Sequence, residues 1–311
     1  MEVNILVVSN TYRFKHFRRF FDMRNPFKSI IGDWTLAEKG KRWSWIKMRV
    51  LARFIIFRKK KSHNLIQIEE KSTIFSNVDI STLISRLEKD GIYEGLNLPK
   101  DLTQSILFYA NNNDFALNGK INNPTTTRTY KVDAQRLEYT ATHGLYPKII
   151  DKCSEIRLIY NDPLIRGIAN CYLGTTAVSH DVKLMWSFPN NAGDRIQSKL
   201  AQKFHYDLDD YKFLKFFFYI TDVDENSGPH VYIKESHNRK TFFDQIFMRR
   251  FSDKYISKKY ASTLFTTLLG KSGFGFVEDT YGIHKGIPPL QKPRLLLQLE
   301  FATRDYGIKL I

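Results

Sequence analysis

The chain has 311 residues, 42% of them hydrophobic and 14% aromatic, which excludes wholesale disorder and suffices for one large domain or two modest ones. No apolar run reaches the roughly eighteen residues of a membrane span, and two cysteines, Cys153 and Cys171, supply neither a disulfide framework nor a Cys-rich zinc site. The formal net charge of +16 is concentrated at one end: residues 1–63 hold 16 Lys/Arg against 4 Asp/Glu, a net of +12, which leaves +4 for residues 64–311.

The opening residues, Met1-Glu2-Val3-Asn4, lack the basic-then-apolar pattern of a secretory signal, so the expected location is cytoplasmic. Residues 1–63 form a basic, aromatic segment, with Trp43-Ser44-Trp45-Ile46-Lys47 and Arg53-Phe54-Ile55-Ile56-Phe57-Arg58-Lys59-Lys60-Lys61. Positions 35–60 fit a basic amphipathic helix that can lie on an anionic membrane or grip phosphates. They equally fit a solvated basic face packed through its aromatics. Because the rest of the chain is nearly neutral, nucleic acid is not an expected partner.

Residues 64–163 read as a mainly helical region packing on a core. Asp79 can cap a helix over 79–91 that Gly91 ends. A second helix is predicted over 100–111 after Pro99, a polar loop over 113–132, and a third helix over 146–160, ended by Asn161-Asp162-Pro163. From 164 to 311 short β-rich runs dominate: Ile168–Thr176, Val182–Phe188, Lys212–Thr221, His230–Lys234, Gly275–Val277 and Arg294–Phe301. One helical insert over 239–269 interrupts them. Helices followed by many short strands predict an α+β chain whose second half is a jelly roll or small barrel.

Of eight histidines, His205 alone has an acid two residues later, Asp207. On a strand, residues i and i+2 share a face, so this pair can hold one metal ion. A third ligand must come from further along, and His230, His237 and His284 are the candidates. Two histidines and one carboxylate leave coordination positions open, as non-haem iron oxygenases require. Arg294 opens the apolar strand Arg294-Leu295-Leu296-Leu297-Gln298-Leu299-Glu300-Phe301. A guanidinium there needs an anion, either a ligand carboxylate or a protein acid such as Glu300 or Asp279.

His205-x-Asp207, Tyr219-Ile220-Thr221-Asp222-Val223-Asp224, Ser227-Gly228-Pro229-His230, Glu235-Ser236-His237 and His284 with Arg294 occur in an order that resembles the phytanoyl-CoA dioxygenase family. These are Fe(II)- and 2-oxoglutarate-dependent oxygenases, and the resemblance covers about 165–302. It implies a double-stranded β-helix core, iron held by His205, Asp207 and His284, and Arg294 on the distal carboxylate of 2-oxoglutarate. His230 and His237 would be structural. With O2, such an enzyme oxidatively decarboxylates 2-oxoglutarate to succinate and CO2 while oxidising a C–H bond. Asp207 stands where halogenating relatives carry a small residue, which favours hydroxylation. Gly286 departs from members that place a hydroxyl residue two positions after the distal histidine to help hold 2-oxoglutarate; Ser187 and Tyr219 are possible substitutes. Glu235 stands where glycine is common.

The basic segment would suit an anionic small-molecule, lipid-linked or sugar-linked substrate and peripheral contact with an anionic membrane. The alternative is a non-catalytic jelly-roll binding protein whose basic segment binds a membrane or polyanion. A zinc hydrolase built on the same triad would leave Arg294 without a role.

Overall fold

The computed structural model describes residues 72–75, 78–190, 202–207, 209–210, 212–247 and 250–303. The basic segment 1–63, with the helix predicted over 35–60, lies outside the described residues. Helix α1 (Ile80–Asp90) starts where Asp79 accepts a hydrogen bond from the Ser81 N–H, and stops where Gly91 turns left-handed at φ 81°. Its buried residues, Leu83 and Leu87, are one turn apart on a single face. Strand β1 (Ile92–Glu94) follows, and Pro99 leads into α2 (Lys100–Asn112).

The predicted loop over 113–132 is partly ordered structure: it holds β2 (Phe115–Leu117), β3 (Pro124–Thr125) and the start of α3 (Tyr130–Arg136). Phe115, Ala116 and Leu117 are all buried, and three residues are too few to carry a periodic signal. Strand β4 (His143–Leu145) comes next. The predicted third helix is broken by the extended backbone of Cys153 into α4 (Ile149–Lys152) and α5 (Ser154–Asn161). The run expected as strand over Ile168–Thr176 is instead largely helix α6 (Pro163–Leu173), capped by Asp162 and ended by left-handed Gly174. Its Leu164, Ile165, Ile168, Ala169, Tyr172 and Leu173 are all buried. Leu164/Ile165, Ile168/Ala169 and Tyr172/Leu173 recur every four residues with Arg166 and Asn170 half-buried between them, a helical spacing that a run begun at Ile168 cuts short.

The later strands are β5 (Val178–Ser187), β6 (Phe204–His205), β7 (Phe213–Tyr219), β8 (His230–Ile233), β9 (Arg250–Phe251), β10 (Phe265–Leu268), β11 (Gly275–Glu278), β12 (His284–Gly286) and β13 (Arg294–Ala302). The insert over 239–269 is not wholly helical. It holds the short helices α8 (Phe242–Phe247) and α9 (Asp253–Lys259), a 3-10 turn and the strands β9 and β10, after α7 (Ser236–Arg239). All pairings are antiparallel. The strands build a major sheet in the order β1-β11-β7-β13-β5-β4-β2-β3 and a minor sheet in the order β10-β8-β12-β6-β9. The expected α+β chain with a double-stranded β-helix core is what the strands form. Strands preceding residue 164 complete both edges of the major sheet.

Strand β7 is buried at all seven positions, as a strand covered on both faces must be. Leu214, Phe216 and Phe218 share a core with the helices, and Leu295, Leu297, Leu299 and Phe301 of β13 join them. Each fully buried Leu or Phe stabilises the fold by roughly 1.5–3 kcal/mol. The alternate residues Lys215, Phe217 and Tyr219 therefore face the other way, into the jelly roll. Among the described residues no helix is long and apolar enough to cross a membrane.

Candidate metal centre

Strands β6 and β12 pair with His205 directly opposite His284. Opposed residues in an antiparallel ladder project from the same face, so the pairing itself brings the two imidazoles together, with ring centroids 4.3 Å apart. Asp207 lies just past the end of β6, where its N–H donates to the Thr280 carbonyl at 2.8 Å. Its Oδ1 is 3.6 Å from His205 Nε2 and its Oδ2 3.7 Å from His284 Nε2. One ligand atom from each of the three residues lies within 4.8 Å of the others.

Each histidine is oriented by the carbonyl two residues before it. His205 Nδ1 is 2.9 Å from Lys203 O, and His284 Nδ1 is 3.0 Å from Gly282 O. A carbonyl only accepts, so each Nδ1 carries the proton and each Nε2 turns a lone pair towards Asp207. That is the tautomer a metal needs, held from behind. Burial drives the His205 pKa down to about 3 and lowers that of His284 as well. Both rings are neutral at pH 7. Two neutral imidazole nitrogens and one carboxylate fit a divalent metal with open positions.

The other two histidines lie outside this group. His237 is buried, with Nε2 3.1 Å from Glu88 O, and ties α7 to α1. His230 places Nε2 3.1 Å from both Glu278 oxygens. Burial pushes the Glu278 carboxyl up to about 8 and the His230 ring down to about 3. Glu235, at the usual glycine position, adopts the left-handed conformation at φ 63° that glycine favours.

Lys215 is a site residue that the motifs do not announce. Its buried Nζ is 2.8 Å from Asp207 Oδ2, 3.0 Å from Asp209 Oδ2 and 3.4 Å from Glu300 Oε2. Burial alone would raise the Asp207 carboxyl; Lys215 and then His284 outweigh it and hold it well below the usual carboxylate range. Burial, and next Asp209, push Glu300 up to about 8. The signal was a single lysine inside Phe213-Leu214-Lys215-Phe216-Phe217-Phe218-Tyr219.

Arg294 is buried and meets no protein acid among the described residues. Glu300 faces Lys215, and Asp279 accepts from the Tyr172 hydroxyl at 2.8 Å. The guanidinium donates from Nη1 to the Gly228 carbonyl and from Nη2 to Ser187 Oγ at 3.2 Å, and its Nε is buried without a partner. Ser187 stands directly opposite Arg294 in the β5–β13 ladder. The Tyr219 hydroxyl is engaged by Leu268 O and the His230 N–H.

No family model and no curated protein matches the chain. Solved structures do. The 2-oxoglutarate-dependent epimerase SnoN from nogalamycin biosynthesis is 14% identical, with a TM-score of 0.48, over 74% of this chain and 84% of SnoN. HygX from Streptomyces hygroscopicus, crystallised with nickel and 2-oxoglutarate, is 10% identical, with a TM-score of 0.50, over 71% of this chain and 86% of HygX. The carbocyclase SnoK, also from nogalamycin biosynthesis, is 12% identical, with a TM-score of 0.45, over 75% of this chain and 87% of its own. At these identities the likeness is one of fold alone.

Proposed function

We propose that the protein is an Fe(II)- and 2-oxoglutarate-dependent dioxygenase, related to the phytanoyl-CoA dioxygenases, that hydroxylates a C–H bond of an anionic small-molecule, lipid-linked or sugar-linked substrate. The observation that carries this reading is the convergence of His205, Asp207 and His284 inside a jelly roll that also holds a buried guanidinium with no counter-anion among the described residues. His205, Asp207 and His284 would hold iron, and Arg294 would bind the distal carboxylate of 2-oxoglutarate with Ser187 beside it. When bound, iron supplies the coupling of 2-oxoglutarate decarboxylation to substrate oxidation by O2.

The chain's own groups set the conditions for that chemistry. Lys203 O and Gly282 O hold the two imidazoles as neutral donors. Lys215 would keep Asp207 anionic and so able to hold the metal. Arg294 positions the co-substrate and transfers no proton. A zinc hydrolase would leave this guanidinium idle. The test is conversion of 2-oxoglutarate to succinate, measured with and without Fe(II). Iron-dependent turnover that disappears in Asp207→Ala supports the proposal; metal binding without turnover favours a binding protein instead. Residues 1–63 are proposed to contact an anionic membrane. Deleting them should abolish salt-sensitive binding to vesicles containing phosphatidylserine, and unchanged binding would refute that contact.

A further inference from the structure

We propose that Arg250 recognises the substrate that is oxidised, by holding a carboxylate or phosphate group of that substrate at the entrance to the metal site. The inference rests on the function proposed above and sharpens it: the substrate carries its anion close to the carbon that reacts. Strand register sets a row of four side chains. Tyr232 stands opposite His284 in the β8–β12 ladder, His284 opposite His205 in the β12–β6 ladder, and His205 opposite Arg250 in the β6–β9 ladder. Opposed residues project from one face of a sheet. Arg250 therefore rises from the face that carries the two metal-ligating imidazoles.

The neighbouring row fixes that orientation independently. Phe204 stands opposite Phe251, one residue along from the His205–Arg250 pair, and successive residues on a strand take opposite faces. Phe204 and Phe251 are buried in a core with Tyr206, Ile256 and Tyr281. Phe251 also stacks on Tyr255 of α9 at a centroid distance of 5.7 Å. Lys285, next to His284, takes this aromatic side too: its Nζ lies 4.4 Å from the centre of the Phe204 ring and 2.7 Å from Asp253. Lys285 and Arg250 are the lysine and arginine side chains of β6, β9 and β12, and of the two Arg250 is the one on the metal's side.

Burial falls along the row. Tyr232, His284 and His205 are buried, whereas Arg250 is exposed. Strand β9 is the last strand of the minor sheet, so the row runs from the interior to an open edge, with the metal ligands between. The Asp207 carboxylate, just past β6, is partly exposed as well. A molecule reaching the imidazoles from the β9 side passes the guanidinium. Neighbouring strands lie about 4.8 Å apart, so an anion held by Arg250 is within roughly 10 Å of the metal, and the oxidised carbon is a few bonds from that anion. The planar guanidinium matches a carboxylate or phosphate with two parallel hydrogen bonds, which an ammonium does not. Edge strands also carry inward charges that merely discourage pairing with other chains; that role needs a charge but no ligand.

The test loads the full chain with Mn(II) and 2-oxoglutarate in the absence of O2 and adds phenyl phosphate or carboxyl-labelled phenylacetate as probe. Mn(II) speeds the magnetic relaxation of nearby nuclei steeply with proximity, so the phosphorus or carboxyl signal reports both occupancy and distance from the metal. We expect one of the probes to relax as a nucleus roughly 10 Å or less from Mn(II), and which one does so separates phosphate from carboxylate. Arg250→Gln should bind that probe about tenfold or more weakly while holding Mn(II) within about threefold of wild type. Arg250→Lys, which keeps the charge but not the fork, should recover only part of the loss. Anion binding by residues 1–63 is common to all three proteins and cancels in the comparison. Relaxation of neither probe in wild type, or equal relaxation in Arg250→Gln, overturns the assignment. Unchanged probe binding with self-association of Arg250→Gln also overturns it and makes Arg250 an edge-strand guard. Loss of Mn(II) binding in Arg250→Gln overturns it too and makes Arg250 a support for His205. A wild-type chain that binds neither Mn(II) nor 2-oxoglutarate overturns the proposed function itself, a result distinct from the failure of either variant.

Discussion

Replacing Lys215 with methionine removes the ammonium that faces Asp207 at 2.8 Å, Asp209 at 3.0 Å and Glu300 at 3.4 Å, and keeps most of the side-chain volume. Without metal, Asp207 is then a largely buried carboxylate that has lost its nearest cation. Breaking a buried pair by removing one partner costs about 3–5 kcal/mol. For a domain of this size each kcal/mol moves the melting temperature by roughly 2–4 °C. Lys215→Met should therefore melt roughly 6–20 °C below wild type when both are stripped with chelator. A divalent ion between His205, Asp207 and His284 would return positive charge to Asp207. The rise in melting temperature on adding Mn(II) should accordingly be larger in the variant than in wild type. Differential scanning fluorimetry with and without Mn(II) reads both quantities. Equal melting temperatures without metal, or equal Mn(II)-induced rises, would refute the idea that Lys215 compensates the Asp207 carboxylate.

Two further outcomes follow from the buried charges. Glu278 and Glu300 have folded pKa values raised to about 8 from 4.5, so the unfolded state ionises first and stability falls as pH rises through that window. His205 and His230 are lowered to about 3 from 6.5, and His284 is lowered too, so stability also falls as pH drops below 6.5. The metal-free protein should be most stable near pH 6.5, and Glu300→Gln should flatten the alkaline side of the profile; a monotonic rise towards pH 8 would contradict both carboxyl assignments. Arg294→Met removes a buried charge that meets no counter-anion among the described residues, so the metal-free variant should melt at or above the wild-type temperature while its 2-oxoglutarate affinity falls about a hundredfold or more. A strongly destabilised variant with normal co-substrate affinity would make Arg294 a structural residue.

The site was more legible in the sequence than the fold around it. His205-x-Asp207 needs only strand periodicity, and an arginine heading an apolar strand signals an anion. The partner of that pair was not readable from spacing, because His230, His237 and His284 all follow it. The β6–β12 register, which no local spacing encodes, sets His284 opposite His205. Lys215 went unread because its significance depends on Asp207, Asp209 and Glu300 meeting it from other segments. Capped helix α1 was legible from Asp79 and Gly91. Helix α6 was not, since the run read as strand begins at Ile168 and omits the first turn, whose Leu164/Ile165 pair completes the helical spacing. Strand β2 and the edge strand β3 are short and gain their order from pairing rather than from local propensity.

The central claim is that His205, Asp207 and His284 form one metal site. Anaerobic calorimetric titration of the full chain with Fe(II) addresses it directly. The account predicts one ion per wild-type chain, loss of binding in Asp207→Ala and in His284→Ala, and retention of binding in His237→Ala. Binding that survives in Asp207→Ala, or that disappears in His237→Ala while the protein stays folded, would contradict it.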